Sequence, residues 1–356
     1  MRIGFILPYF SEKPIGGYKV VYEYASRLSG RGHQVTVIHP WHLKKLNGLE
    51  LVKAAIRAYQ AGNKSRHQFW FQHLDEVTMA FVPVPSARWI PDLDAIIATG
   101  WRTASWVSAL PPRKGQKYYL IQHYETWDGE ASAVDATWTL SLHKIVIARW
   151  LYQLGVEKFS QGEFMTYIPN GIDLNALRLE NPIADRVPYR VGMLYHENLW
   201  KGTEDGIAAL EEVKRRIPEL EVMLFGTSPR ADAIPAWMSY MRLPSPEDLL
   251  TFYNEIAIFV HPSWAEGWPL PPAEAMACGA ALAAAANQGV QDYAEGDVTA
   301  LLSPPRDPQA LANNIVRLID DQKLRQRIAN TGYARIRQYT WETAVSRLET
   351  LLEAKM

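Results

Sequence analysis

The chain has 356 residues, room for two to three domains of ~150 residues. A composition of 48% hydrophobic and 21% charged residues excludes a disordered or fibrous protein, and the lone Cys278 excludes an internal disulfide, a cysteine-built zinc site and an iron–sulfur cluster. The net charge is −1, yet residues 1–170 carry 19 Lys and Arg against 13 Asp and Glu, whereas residues 171–356 carry 18 against 25. The basic first half points to an anionic partner there. Without a recognised binding motif, nucleic acid is not expected to be that partner.

Residues 3–7 are apolar but stop at Pro8, too short for a signal-peptide core, and read as a first buried strand within residues 2–7. Gly16 and Gly17 punctuate the loop after it. A helix follows, with Val20, Val21, Tyr24, Ala25 and Leu28 on one face, stopped by Gly30 and Gly32. Residues 35–38 form the next strand, and 94–99, 117–122 and 144–148 are further short apolar strands. Between them lies a basic segment, residues 41–74. There Lys44, Lys45, Lys53, Arg57, Lys64 and Arg66 face one acid, Glu50, with Trp41, Leu43, Leu46, Leu51, Phe69 and Trp70 interspersed. It reads either as a solvated helix face or as an interfacial segment for anionic lipid or a lipid-linked acceptor.

The first series ends at Ile168-Pro169-Asn170-Gly171-Ile172-Asp173, and the polar stretch up to Pro188 reads as an interdomain linker, residues 171–188. A second series then alternates strands at 189–195, 220–225, 256–261, 281–285 and 299–302 with helices at 203–216, 247–254, 272–277 and beyond 308. Such alternation predicts two doubly wound α/β domains in tandem, residues 1–170 and 189–339. The final amphipathic helix, residues 340–356, is expected to pack back on the first domain. Ligands of such domains bind at the carboxyl ends of the strands, here in a cleft between the two sheets. The longest run of small apolar residues, 273–286, is broken by Glu274 and Gly279 and falls short of a membrane span, so a cytoplasmic chain is expected.

The densest motif is Glu266-Gly267-Trp268-Pro269-Leu270-Pro271-Pro272-Ala273-Glu274-Ala275-Met276-Ala277-Cys278-Gly279. It sets one glutamate in a Gly/Pro loop after a strand and a second, eight positions on, in the first turns of a helix. Backbone N–H groups at that helix start are donors for an anion, and a carboxylate at 274 can accept two hydroxyls of a ribose.

This block resembles the paired-glutamate signature of retaining glycosyltransferases with the two-domain B-type fold, in particular glycosyltransferase family 4. The resemblance covers nearly the whole chain through Gly16-Gly17, residues 168–173, Lys201-Gly202, the glutamate pair and Asp307-Pro308-Gln309-Ala310-Leu311. It implies that Gly16 and Gly17 approach the donor diphosphate and that Lys201 neutralises it. It also implies that Glu274 binds the ribose, Glu266 lies near the transferred sugar and His123 contacts that sugar. Gly226, Arg242, Gly267, Trp268, Pro269 and Leu270 complete the donor side, and Tyr124, Glu125 and Trp127 line the acceptor side. The family pairs its lysine with an arginine early in the second domain. Here Gly192 is followed by Met193, leaving Arg190 or His196 as the replacement.

The implied function is transfer of a sugar from a UDP, GDP or dTDP donor to a carbohydrate or lipid-linked hydroxyl. The resemblance further implies retention of configuration, no cofactor and no metal. A sugar-nucleotide epimerase of the same fold and a catalytically silent sugar-nucleotide-binding subunit are the alternatives. Asp92 and Asp94, spaced like a metal motif, precede a strand and so sit at the wrong end of it for the cleft.

Overall fold

A computed structural model describes residues 1–65, 71, 74–127 and 129–354. The chain divides into two compact units, Met1–Asn170 with Trp341–Met356, and Gly171–Thr340.

Unit 1 opens with β1 (Arg2–Ile6), α1 (Gly16–Gly30), β2 (Gln34–Pro40), α2 (Gly48–Ser65) and β3 (Thr78–Val82). It continues through β4 (Ala95–Ala98), α3 (Trp101–Ser108), β5 (Gln116–Ile121) and α4 (Ala131–Trp138), then β6 (His143–Val146), α5 (Arg149–Phe159) and β7 (Met165–Tyr167). Seven strands lie in the order β3-β2-β1-β4-β5-β6-β7, all parallel. The central strands are apolar on both faces because helices cover both: Ile3, Phe5, Ile96 and Ile97 are fully buried. Gly16 and Gly17, expected in a loop, are the first two residues of α1.

Unit 2 contains β8 (Arg190–Leu194), α6 (Thr203–Arg216), β9 (Glu221–Gly226), β10 (Ser239–Arg242), α7 (Pro246–Glu255) and β11 (Ile258–His261). After these come α8 (Leu270–Ala277), β12 (Ala281–Ala285), β13 (Leu301–Ser303), α9 (Pro308–Asp320) and α10 (Gln322–Ile336). Its six parallel strands follow the order β10-β9-β8-β11-β12-β13. The two doubly wound sheets expected from the alternation are therefore present. In each the strand order reverses beside the unit's first strand, at β1/β4 and at β8/β11, and such a reversal opens a crevice at the carboxyl ends.

The stretch expected as a free linker is folded into unit 2. The Arg186 guanidinium is buried and donates to the carbonyl oxygens of Asn181, Tyr253, Ile256 and Cys278, while Asn254 Oδ1 accepts the Glu180 N–H at 2.7 Å. A guanidinium saturated by carbonyls fixes backbone that carries no secondary structure of its own.

The last helix, α11 (Trp341–Ala354), belongs to unit 1. Trp341 meets Tyr24 of α1 edge-on at 5.3 Å, and Glu349 accepts from both Arg31 and His33 at 2.7 Å. No helix among the described residues is long and apolar enough to cross a membrane.

Candidate functional site

The reversal point of unit 2 carries charge. The loop after β8 delivers Lys201, the loop after β11 delivers Glu266, and Lys201 Nζ lies 2.8 and 3.0 Å from the two Glu266 carboxylate oxygens. Glu266 is 8% exposed. Burial would raise its carboxyl, but Lys201, His261 and Ser263 outweigh that and hold it below the ordinary glutamate value. His196, in the β8 loop, accepts the Asn198 N–H on Nδ1 at 3.0 Å, which leaves the proton on Nε2. Burial and then Lys201 push its pKa down. Of the two replacements for the missing arginine, the structure thus brings His196 to the pair. Arg190 opens β8 at its amino end and is bridged to Glu221 at 2.7 Å, on the far edge of the sheet from Lys201. Met193 itself is a core side chain, fully buried against Gly206 of α6.

Glu274 stands in the second turn of α8, 5% exposed, and accepts the Tyr253 hydroxyl at 3.0 Å. Pro271 and Pro272 remove two N–H groups from the first turn of α8, so Leu270 and Ala273 are the donors that remain there. Trp268 is 4% exposed and packs on Tyr293, whose hydroxyl donates to the Pro269 carbonyl at 2.8 Å. Trp268 therefore anchors the loop by its ring, against Tyr293 and Tyr339. Gly267 and the Glu266 carbonyl lie so close to Gly289 that a Cβ there would fall 2.6 Å from the Glu266 oxygen. Gly226 and Arg242 end the paired strands β9 and β10, in register, at the same carboxyl edge. Tyr253, His261 and Asn287 were not foreseen. Asn287 Nδ2 donates to the Ser263 carbonyl at 2.9 Å and lies 3.3 Å from His261 Nε2, while burial pushes His261 down to about 4, keeping it neutral. The only sequence signal was a histidine closing an otherwise apolar strand.

In unit 1 the carboxyl edges of β4, β5 and β6 gather aromatic side chains. The His123 ring meets Trp127 edge-on at 4.2 Å and Trp150 at 5.5 Å, and Trp127 is 45% exposed. Glu125 accepts the Trp101 N–H at 2.9 Å, at the start of α3. Gly17 offers its carbonyl to Gln122 Nε2 at 3.0 Å, which sets the glycine pair beside the His123 loop. Tyr124 is turned instead toward Asp135 and Lys158, its hydroxyl 2.5 Å from the first and 2.6 Å from the second. Asp92 and Asp94 are held by Lys114 and Arg2, each at 2.7 Å, at the amino edge of β4.

Within the basic segment, α2 buries Ala54 and Ala58 and leaves Leu49, Val52, Ile56 and Tyr59 more than half exposed. Their spacing of three, four and three residues puts them on one face, flanked by Lys53 and Arg57. Leu43, Leu46 and Leu51, expected to supply the apolar surface, are half-buried. Arg66, Phe69 and Trp70 lie outside the described residues.

Two reversed parallel sheets with a lysine–carboxylate pair at the reversal of the second define a doubly wound α/β protein with a charged site at its strand ends, and comparison with known proteins narrows that class. Residues 190–335, which contain Lys201, Glu266 and Glu274, match the family model described as glycosyl transferases group 1. The chain is 22% identical to the phosphatidyl-myo-inositol mannosyltransferase of Mycobacterium tuberculosis, over 99% of this chain and 97% of that protein. It is 30% identical to the O-antigen chain mannosyltransferase B of Escherichia coli over 110 residues, which are 31% of this chain and 28% of that one. Among solved structures, Anabaena HepE in complex with UDP and glucose superposes with a TM-score of 0.77 at 17% identity, covering 99% of this chain and all of that one. Sucrose-phosphate synthase from Thermosynechococcus elongatus superposes with a TM-score of 0.71 at 18% identity, covering 99% of this chain and 98% of that one. The fold is that of the B-type glycosyltransferases, and the family match and full-length relatives support a glycosyltransferase of that fold.

Proposed function

We propose that the chain is a retaining, metal-independent glycosyltransferase of the family 4 type, which moves a sugar from a nucleotide diphosphate to a hydroxyl. The observation that carries this reading is the Lys201–Glu266 pair at the β8/β11 reversal. As the bond between the sugar's anomeric carbon and the diphosphate oxygen breaks, the electron pair leaves with the diphosphate. The Lys201 ammonium and the N–H groups of Leu270 and Ala273 are the donors placed to stabilise that growing charge. The acceptor oxygen bonds to the anomeric carbon on the face the diphosphate leaves, and its proton passes to a departing phosphate oxygen. Glu274 holds the ribose hydroxyls. His123 and Glu266 position the transferred sugar, and Glu125 and Trp127 the acceptor.

UDP is the first donor nucleotide to test, since HepE carries UDP, with GDP and dTDP beside it. Binding at a ligand concentration of 100 Kd raises stability by about 2.7 kcal/mol, which a thermal-shift screen resolves. Transfer by the purified chain that survives excess EDTA supports the whole reading. Transfer that vanishes in EDTA and returns with manganese removes its metal-independent part, and no binding of any of the three nucleotides removes the reading itself.

A second component concerns the acceptor. Leu49, Val52, Ile56 and Tyr59 with Lys53 and Arg57 form a basic, apolar helix face suited to lying in the headgroup layer of an anionic membrane. The relative named for phosphatidyl-myo-inositol supports a lipid-borne acceptor presented at such a surface. The enzyme then works peripherally on the cytoplasmic leaflet.

A further inference from the structure

The loop between β11 and Glu266 is fastened by a side chain that no reading above uses. Trp264 donates its backbone N–H to the Trp200 carbonyl at 2.8 Å, and the neighbouring Ser263 hydroxyl donates to the Lys201 carbonyl at 3.3 Å. Gly202, just after the lysine, has φ of 61°, and a Cβ there would fall 2.3 Å from the Pro262 carbonyl oxygen. The Lys201 segment and the Glu266 segment thus run backbone against backbone, joined at residues 262–264. The Trp264 indole N–H then donates to Asp205 Oδ2 at 2.6 Å, in the first turn of α6.

A cation also covers the ring: the Arg306 guanidinium carbon sits 4.2 Å from the ring centroid. Every other cation–ring contact among the described residues is 5.0 Å or longer. Arg306 has φ of 63°, the left-handed region that a side chain with a Cβ disfavours and glycine adopts freely. It lies between Pro305 and Asp307, whose carboxylate caps α9 through the Ala310 N–H at 2.9 Å, so the turn alone would be served better by glycine. Strain of this kind persists where the residue has another task.

We infer that Trp264 is a positioning residue for the Lys201–Glu266 pair, and that Arg306 is kept in its strained turn because its guanidinium, with Asp205, holds the Trp264 ring. The inference rests on the transferase reading for its effect on rate, and on geometry alone for its effect on the pair. A lysine displaced by about 1 Å from the departing diphosphate can lose on the order of a hundredfold in rate while still binding it. Arg306 touches neither reacting group.

The decisive variant is Arg306→Gly in the full-length protein, because strain and function move in opposite directions. It should melt at or above the wild-type temperature, bind UDP or GDP within about threefold of wild type by calorimetry, and lose at least tenfold in kcat. Arg306→Lys, which restores a cation over the ring, should recover most of that kcat. Asp205→Asn, which keeps an acceptor for the indole, should stay near wild type, whereas Asp205→Ala should follow Arg306→Gly. An Arg306→Gly protein with wild-type kcat overturns the inference, and one that melts well below wild type overturns its strained-turn half. If the wild type turns over no sugar nucleotide, the transferase reading fails separately. The clamp is then read from the Lys201 Nζ resonance in lysine-labelled protein: a shift in Arg306→Gly supports it, and an unmoved resonance overturns it.

Discussion

Lys201 and Glu266 lie 2.8 Å apart, from loops that leave neighbouring strands β8 and β11, and the lysine ammonium helps hold the Glu266 carboxyl below its ordinary pKa. In the proposed mechanism Lys201→Met removes the cation that meets the departing diphosphate, so kcat should fall ~10²–10³-fold. The structure adds a stability cost that the sequence did not suggest. The Glu266 side chain is 10% exposed and the Lys201 side chain 23%, and breaking a buried pair strands a carboxylate at a cost of about 3 kcal/mol. In the wild type the depressed Glu266 pKa contributes stability above the ordinary glutamate value near ~4.3, lost as pH falls through the lower folded value. In Lys201→Met burial acts without the cation, the carboxyl rises, and stability falls as pH rises past the unfolded value. Melting curves of the two proteins should therefore draw together as pH falls below ~4 and part toward pH 8. Lys201→Met with Glu266→Gln should regain stability and not activity. A single variant that melts like wild type at pH 8 contradicts the buried pair.

Glu274 accepts the Tyr253 hydroxyl, and in the proposed donor site it also accepts from the ribose. Glu274→Gln still accepts from Tyr253, so its fold should hold. A charge-assisted hydrogen bond to the nucleotide is lost, worth about 1.5–3 kcal/mol, so Kd for the matching nucleoside diphosphate should rise at least tenfold. Calorimetry that finds the same Kd in the folded variant takes Glu274 out of the donor site.

What the sequence made legible followed burial. The central strands β1, β4, β8, β11 and β12 are sheathed on both faces, so they read as unbroken apolar runs such as Ala281–Ala285. The strands missing from the sequence reading, β3, β7 and β10, are all sheet edges. Thr78–Val82 and Ser239–Arg242 are half-exposed and mix polar with apolar residues, so no run stands out. In the candidate site, Glu266 and Glu274 stand out in the sequence because charge in a Gly/Pro loop or inside an apolar helix is anomalous, whereas Lys201 follows only from the family resemblance. Tyr253 and Asn287 do not stand out, since an aromatic on a helix face and a polar loop residue look ordinary until the fold sets them beside Glu274 and His261. Arg190 misled for a related reason: sequence proximity to Gly192 does not tell which end of β8 a residue occupies.

The C-terminal helix should give unit 1 an acid limb. Glu349 of α11 is held below the ordinary glutamate value first by its hydrogen bond to His33 and then, against some burial, by Arg31. A depressed carboxyl contributes stability above ~4.3 that is lost as pH falls through the folded value. The Glu349 side chain is 24% exposed, so solvent screening trims the contribution to roughly 1–2 kcal/mol. Glu349→Gln should lower Tm at pH 7 by roughly 2–8 °C, and the difference should shrink as pH falls below about 4 toward the depressed folded value. A Tm difference that persists undiminished at pH 3.5 would mean that packing of α11, and not the charge of Glu349, is what the substitution disturbs.

The last prediction concerns α2. Leu49, Val52, Ile56 and Tyr59 cannot be core residues, because Ala54 and Ala58 already fill the inner face. A soluble helix would place polar side chains at those four positions. Lys53 and Arg57 alternate with them and Lys44 and Lys45 precede them in sequence, against one acid, Glu50, so an anionic surface gains from both terms at once. Each cation near such a surface contributes about 1 kcal/mol at low salt, and the four together correspond to roughly a thousandfold in partitioning. The protein should sediment with vesicles containing phosphatidylglycerol and not with neutral phosphatidylcholine, and 0.5 M salt, with a Debye length of about 4 Å, should weaken binding strongly. Changing the four cations to glutamine should abolish sedimentation. Ile56→Ser with Tyr59→Ser should reduce it while leaving Tm within about 2 °C of wild type, since neither side chain is packed. Wild-type protein that ignores anionic vesicles at low salt, or that forms concentration-dependent dimers lost in Ile56→Ser, would reassign this face from lipid to a second copy of the chain.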